Sequence, residues 1–146
     1  MKRSCVLLLL LVLSPWVWAE AAGLVGKWRT IDDETGKAKS IVEIFKDGDT
    51  FRGKISELLP PEDPAKLCTS CEGDKKDKPV VGMEIMWDMK ESEPGKEWSS
   101  GHIMDPKNGK TYRCRLQLKD GGDKLNVRGY LGISLFGRSQ DWERVK

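Results

Sequence analysis

Histidine is nearly absent from this sequence, in which His102 is the single example. Chemistry of the Ser-His-Asp type would have to use His102, and no catalytic constellation accompanies it in the sequence. In the predicted fifth strand, His102 shares a face with Trp98, Ser100 and Met104, a mixed setting that is typical of a structural histidine. A phosphate-binding glycine loop is missing as well, because Gly121-Gly122 has the composition of a turn. The sequence therefore predicts a protein that is not an enzyme and carries no cofactor and no metal.

A block of basic residues is also missing. Lysine and arginine alternate with aspartate and glutamate along the chain, whose formal net charge is +2. Without a basic block, neither nucleic acid nor an anionic membrane is expected as the main partner. Paired carboxylates occur at 32–34 and 91–93, but both groups lie in turn-like stretches. We interpret them as solvated loops rather than as acid–base pairs.

Long apolar runs are limited to the N-terminus. Val6–Leu13 follows two basic residues and precedes small residues at the spacing that a signal peptidase reads. The run is well short of the roughly 20 residues that a membrane span needs. We therefore interpret residues 1–21 as a signal peptide, with an uncleaved anchor as the alternative. Cys5 precedes the run, so it cannot be the acylated cysteine of a lipoprotein. The mature protein, residues 22–146, is expected to be one domain without a membrane span, exported to the periplasm or secreted.

Helical periodicity is missing from the mature chain, and alternation with period two takes its place. Tyr112, Cys114, Leu116 and Leu118 share one face of a strand, for example, and turn signals recur at short intervals. We predict eight strands, at 25–31, 39–46, 50–56, 83–89, 97–104, 111–118, 124–131 and 138–144. Short antiparallel strands joined mainly by hairpins favour an all-β, up-and-down barrel, since closure removes exposed edges, and a two-sheet sandwich is the alternative. At eight strands, a barrel is either filled by side chains or holds one small ligand.

The longest stretch without a strand pattern, 57–82, contains Cys68 and Cys71. A loop of this length is either functional or a solvated connector, and we interpret it as a connector. Three kinds of site fit the two cysteines. A redox pair of the thioredoxin type needs a following helix, which the sequence lacks. A zinc site would need Cys114 and His102 as further ligands, and these are scattered along the chain. A local disulfide suits an exported protein, and we expect it to close part of the loop.

Several motifs occur together in a characteristic order. Gly26-Lys27-Trp28 is similar to the Gly-x-Trp of lipocalins, although such a tryptophan is also typical of a barrel core. The others are Gly53-Lys54-Ile55, Cys68-x-x-Cys71, Trp98-x-x-Gly101, Asp105-Pro106-x-Asn108-Gly109-Lys110-x-Tyr112, Arg128-Gly129-Tyr130 and Gly137-Arg138-Ser139-Gln140-x-Trp142. In this order they resemble the bacterial domain-of-unknown-function 2147 family, small exported proteins with a lipocalin-like barrel. The resemblance covers essentially the whole mature chain. It implies the fold and an envelope location, and it supplies no function.

The tryptophans suggest how the barrel closes. We expect Trp28 to plug one end of the barrel, with Arg144 or Arg138 of the last strand stacked on its ring. Closure brings the first and last strands together, and a cation over an indole contributes about 0.5–2 kcal/mol.

A ligand anchor is predicted on the last strand. If Trp142 points inward, Gln140 and Arg138 share its face, and Tyr112 points inward on the sixth strand. A buried arginine needs a partner from another strand, from solvent at the mouth or from an anionic ligand. We hypothesise that Arg138, Gln140 and Tyr112 bind the carboxylate or other polar head of a small amphipathic molecule. Its tail would contact Trp87, Trp98 and Trp142. The alternative places Arg138 at the rim, stacked on Trp28.

Arg128 and Tyr130 form a second candidate grip for a carboxylate. Alternation with Leu125 and Val127 sends both residues outward unless Gly129 marks a bulge.

Two functions remain open for the protein as a whole. One is a periplasmic carrier with a small ligand in the barrel, and the other is an envelope interaction or structural module with a filled barrel. A binder should have an incompletely filled interior, and a module should have an apolar patch outside.

Overall fold

The computed structural model describes residues 23–133, 135 and 137–146. Within these residues, eight strands join in sequence order and close into one antiparallel barrel. The strands are β1 (Gly26–Ile31), β2 (Ala38–Asp47), β3 (Thr50–Leu58), β4 (Glu84–Glu93), β5 (Glu97–Asp105), β6 (Lys110–Lys119), β7 (Lys124–Tyr130) and β8 (Gly137–Arg144). β1 pairs with β8, which completes the ring. The predicted barrel is confirmed, whereas the predicted signal peptide, 1–21, lies outside the described residues.

The two ends of the barrel differ in how they are connected. One end carries the short connections 48–49, 94–96 and 120–123, the last including a 3₁₀ turn at Asp120–Gly122. We call it the closed end. The other end, the open end, carries the connections 32–37, 59–83, 106–109 and 131–136.

Large apolar side chains fill the half of the barrel nearest the closed end. Eight of them are at most 1% exposed, namely Trp28, Val42, Ile44, Met86, Met89, Trp98, Leu116 and Leu125. Phe51 packs edge-on against Trp98, with the ring centroids 6.0 Å apart. Burial of this many large side chains is the main favourable contribution to folding.

A bulge in β5 changes which side chains share a face. The pairing with β6 shifts between Trp98 and Gly101, and Ser100 has a φ of 65°. A Cβ on Gly101 would lie 2.6 Å from the carbonyl oxygen of Trp87, so only glycine fits this close approach. Trp98 consequently points inward, whereas His102 stacks on Trp87 with ring centroids 5.8 Å apart. The prediction that His102 shares a face with Trp98 is wrong, because one extra residue reverses the alternation.

The alternation of β6, β7 and β8 is uninterrupted. β7 pairs with both neighbours without a register shift, so Gly129 is not a bulge. Val127 and Gly129 line the barrel interior, as expected from the alternation. Cys114 is fully buried on the inner face of β6, and this burial raises the pKa of its thiol to about 12. The thiol is therefore a small core residue and a poor nucleophile.

The long connection 59–83 is largely exposed, as expected of a solvated connector. Four of its residues nevertheless belong to the buried core, namely Cys68, Cys71, Val80 and Met83. Cys68 and Cys71 form a disulfide and are only 1% and 3% exposed. Cys71 Sγ lies 3.9 Å from Met104 Sδ on β5. A Cβ on Gly109 would lie 1.8 Å from the carbonyl oxygen of Ser70, so the β5–β6 turn accepts the loop only because residue 109 is glycine. The disulfide thus belongs to the outer wall of the open end.

Candidate functional site

The half of the barrel nearest the open end encloses a cavity of about 750 Å³. Its floor is apolar and includes Ile55, Ile85, Val127 and Trp142, which are all at most 5% exposed. The side chains that fill the closed half do not line it. This volume lies within the roughly 300–1,000 Å³ that is typical of small-molecule pockets. The predicted incompletely filled interior is therefore present at one end.

A chain of polar contacts runs from the floor to the rim along β8. Trp142 Nε1 donates to Gln140 Oε1 at 3.3 Å, and Gln140 Nε2 donates to Asp33 Oδ2 at 3.2 Å. Arg138 Nε donates to the same oxygen of Asp33 at 2.6 Å. The carboxylate of Asp33 therefore lies where the hypothesis places the head of a ligand.

Two predictions about residues at the rim are wrong. The carboxylates at 32–34 are not merely solvated, because Asp33 forms an ion pair with Arg138. The alternative in which Arg138 stacks on Trp28 is wrong, because the two residues lie toward opposite ends of the barrel. The hydrogen bond and charge of Asp33 raise the pKa of Arg138 above its ordinary value, so the arginine stays a cation.

Charged side chains of both signs line the cavity. Among the described residues, four cations and four acids line the cavity: Lys39, Lys66, Lys107 and Arg138, with Asp32, Glu34, Glu62 and Asp105. Lys66 Nζ lies 2.9 Å from Glu62, and this contact holds the pKa of Glu62 below its ordinary value. The amide and hydroxyl of Thr35 lower the pKa of Asp32 in the same direction. A ligand head therefore meets paired charges of both signs.

Tyr112 lines the cavity together with Arg138 and Gln140. Its hydroxyl accepts a hydrogen bond of 3.0 Å from Asn108 Nδ2, in the turn between β5 and β6. The hydroxyl proton of Tyr112 is available to a second acceptor, because the phenol is both donor and acceptor.

The three tryptophans that were predicted to contact the ligand tail lie in three different parts of the barrel. Trp142 lies on the cavity floor. Trp98 is buried in the filled half and does not line the cavity. Trp87 lies on the outer face of β4 against His102, with Lys75 Nζ 5.3 Å from its ring centroid. Contact of a tail with Trp87 is thus wrong, because the alternation of β4 is interrupted on both sides of this residue. The pairing with β3 shifts between Glu84 and Met86, and Asp88 has a φ of 57°.

Arg128 and Tyr130 do not form a joint grip. Arg128 Nη1 donates to Ser139 Oγ at 2.9 Å on the outer face of the sheet, as the alternation predicted. Tyr130, the last residue of β7, reaches the cavity rim.

Sequence reasoning missed the apolar side chains at the mouth. Leu131, Ile133 and Leu135, which we call the apolar lip, are 61%, 59% and 76% exposed in the β7–β8 connection. Leu131 and Leu135 also line the cavity. The signal was present in the sequence, since a connection between strands is usually polar and this one carries an apolar residue at alternate positions.

The predicted plug lies at the closed end. Trp28 is fully buried, and its Nε1 donates to the carbonyl of Leu24 at 2.9 Å. The guanidinium carbon of Arg144 lies 4.2 Å from the centroid of the Trp28 ring. Arg144 Nε also donates to the carbonyl of Gly122 at 2.7 Å. Burial lowers the pKa of Arg144 relative to its ordinary value.

The described residues show neither a metal-binding cluster nor a membrane-spanning helix. In the ranges 23–133, 135 and 137–146, no group of three or more His, Cys, Asp or Glu side chains is placed to hold a metal ion. The same part of the chain contains no helix that is long and apolar enough to span a bilayer.

An eight-stranded closed barrel with a cavity at one end defines a lipocalin-like protein. Among solved structures, the chain is similar to one described as "Protein HP1028 from the human pathogen Helicobacter pylori belongs to the lipocalin family", with a TM-score of 0.74. The two share 20% identity, and the match covers 84% of this chain and 83% of that one. No curated protein matches the sequence. Residues 26–144 match the family described as "Uncharacterized protein conserved in bacteria (DUF2147)", and the chain belongs to this family.

Proposed function

We propose that this protein is an exported, non-enzymatic binder of a small amphipathic molecule, which it holds in the open half of the barrel. The cavity of about 750 Å³ with an apolar floor carries the proposal. An apolar cavity of this size favours an apolar tail, since removing apolar surface from water contributes about 25 cal/mol per Å². The periplasmic or secreted location follows from the sequence of residues 1–21.

The polar head of the ligand lies at the rim in this proposal. Arg138 and Gln140 already bind one carboxylate, that of Asp33. A ligand carboxylate would take the place of Asp33, and Tyr112 would donate its hydroxyl proton to the head. The side chain of Arg138 is 66% exposed, so this exchange takes place in contact with water. A buried arginine would bind more tightly and would exchange its partner less readily.

The alternative function is an envelope interaction or structural module. A module of this kind is expected to have a completely filled barrel, but side chains fill only the half of this barrel that lies nearest the closed end. The apolar lip is the feature that a module would need. Leu131 and Leu135 line the cavity as well, so these two residues of the lip also belong to the binding site, whereas Ile133 does not line the cavity.

Oleate, titrated in vesicle-free buffer below its micellar concentration, tests the proposal through tryptophan fluorescence. We expect saturable quenching that Trp142→Phe removes and that the matched control Trp87→Phe leaves in place, because only the first indole lines the cavity. Quenching that persists in Trp142→Phe would place the probe outside the cavity. Absence of any binding by oleate, or by its methyl ester, would overturn the proposal.

Two substitutions at the rim test the anchor. Arg138→Met should weaken oleate binding about tenfold, because a hydrogen bond to a charged group contributes about 1.5 kcal/mol. Asp33→Asn should strengthen it several-fold, since a competing carboxylate is removed. The methyl ester of oleate, which has no charge, should respond to neither change. Equal affinities of all three proteins for oleate would remove Arg138 as the anchor.

A further inference from the structure

Exposed apolar side chains are concentrated at one point of the surface. Among the described residues, five large hydrophobic side chains are exposed, and three of them form the apolar lip. The other two, Val25 and Leu67, lie elsewhere and do not line the cavity. Exposure of three large apolar groups within five residues is costly in water and marks an interaction surface.

The lip is continuous with the cavity. Leu131 and Leu135 line the cavity with part of their surface and are nevertheless 61% and 76% exposed. A molecule that crosses the lip therefore passes from an outer apolar surface to an inner one. Ile133, which lies between them in sequence, does not line the cavity and is 59% exposed.

The small size of the apolar lip favours a lipid bilayer over a protein as its partner. A stable protein interface takes about 20–30 residues a side, and three side chains fall well short of this. Insertion into the interface of a bilayer requires only a few large apolar groups, because every apolar group that leaves water contributes favourably. Four cations and four acids among the described residues line the cavity, and Asp33 pairs with one of the cations, Arg138, so the rim offers no excess of positive charge to an anionic surface.

We propose that the apolar lip docks on the surface of a zwitterionic lipid bilayer and lets the tail of the ligand move between bilayer and cavity without crossing water. The proposal rests on the proposed function, since it names the place from which the ligand is taken or to which it is delivered. Both apolar surfaces are then covered at the moment of transfer. Docking by a few side chains is weak and reversible, which suits a carrier that must leave the membrane again.

The test is co-flotation of the protein with large vesicles of dioleoylphosphatidylcholine, at low and at high salt. We expect wild-type protein to float with the vesicles at both salt concentrations. Ile133→Asp should lower the partition coefficient at least tenfold, because the lip then carries a charge into the apolar layer. Val25→Asp is the matched control, with the same change at a residue that is 52% exposed at the closed end, and its partition should stay within about twofold of wild type.

Oleate binding in vesicle-free buffer separates this proposal from the proposed function. Ile133→Asp should bind oleate as wild type does in that buffer, and it should take oleate from loaded vesicles at least tenfold more slowly. Wild-type protein that binds oleate but does not float would overturn the lip proposal and leave the proposed function standing. Equal flotation of the two aspartate variants would also overturn it. Loss of self-association in Ile133→Asp without vesicles would show an interface between copies instead.

Discussion

Two arginines of β8 lie at opposite ends of the barrel and do different things. Arg144, at the closed end, stacks on Trp28 and donates to backbone carbonyls, including that of Gly122. Arg138, at the open end, is 66% exposed and forms an ion pair with Asp33. Burial lowers the pKa of the first, and the partner carboxylate raises the pKa of the second. Arg144 is thus part of the packing of the closed end, whereas Arg138 lies in an exposed ion pair at the open end.

The largest expected effect is at the closed end. Trp28→Ala should lower the free energy of unfolding by about 3–5 kcal/mol, since it empties a fully buried site and removes the ring under Arg144. Urea unfolding measures the loss. Trp87→Ala, on the outer face, is the control and should cost clearly less. An unchanged thermal midpoint in Trp28→Ala would contradict the assignment of Trp28 as the plug.

The disulfide tests whether the wall of the open end also contributes to stability. Cys68→Ser combined with Cys71→Ser should lower the free energy of unfolding by about 2 kcal/mol, the amount that the loss of a short closed loop predicts. A reductant should produce the same change in wild type and none in the double variant. The interpretation fails if thiol titration of protein from an oxidising compartment finds Cys68 and Cys71 free.

The two arginines allow the comparison to be tested directly. Arg144→Met should cost about 1–2 kcal/mol of stability, since a cation over an indole contributes about 0.5–2 kcal/mol. Arg138→Met should change stability by no more than about 0.5 kcal/mol, because exposed ion pairs contribute little. Denaturant unfolding gives both values, and oleate affinity should respond in the reverse order. Equal losses of stability in the two variants would contradict the difference that we infer between the two arginines.

Acid gives the smallest expected effect. The folded-state pKa values of Asp32 and Glu62 lie below their ordinary values of 3.8 and 4.5. Depressed carboxyl pKa values contribute stability that is present above the ordinary value and is lost as pH falls through the folded value. The thermal midpoint should therefore decline below about pH 4.5, and in Asp32→Asn it should decline less. A midpoint that rises on acidification would contradict these contacts.

Much of the fold follows from the sequence. Alternation along β6, β7 and β8 predicted which side chains point inward, and Trp142, Gln140 and Arg138 do line the cavity. The alternation is reliable there because no bulge interrupts the pairing of β7 with its neighbours. Local backbone geometry sets which face a side chain occupies, and a strand of regular pleat has only two faces.

Tertiary structure alone decided the rest. The bulge at Ser100 separates His102 from Trp98, and a period-two pattern carries no signal for one extra residue. Asp33 reaches Arg138 across 105 positions of sequence, a contact that depends on closure between β1 and β8. The alternation of a strand predicts which side chains point into the barrel, but it does not predict how much of the interior those side chains leave empty. Its volume depends on the register of all eight strands and on the packing of 59–83 against them, and these are set by contacts distant in sequence.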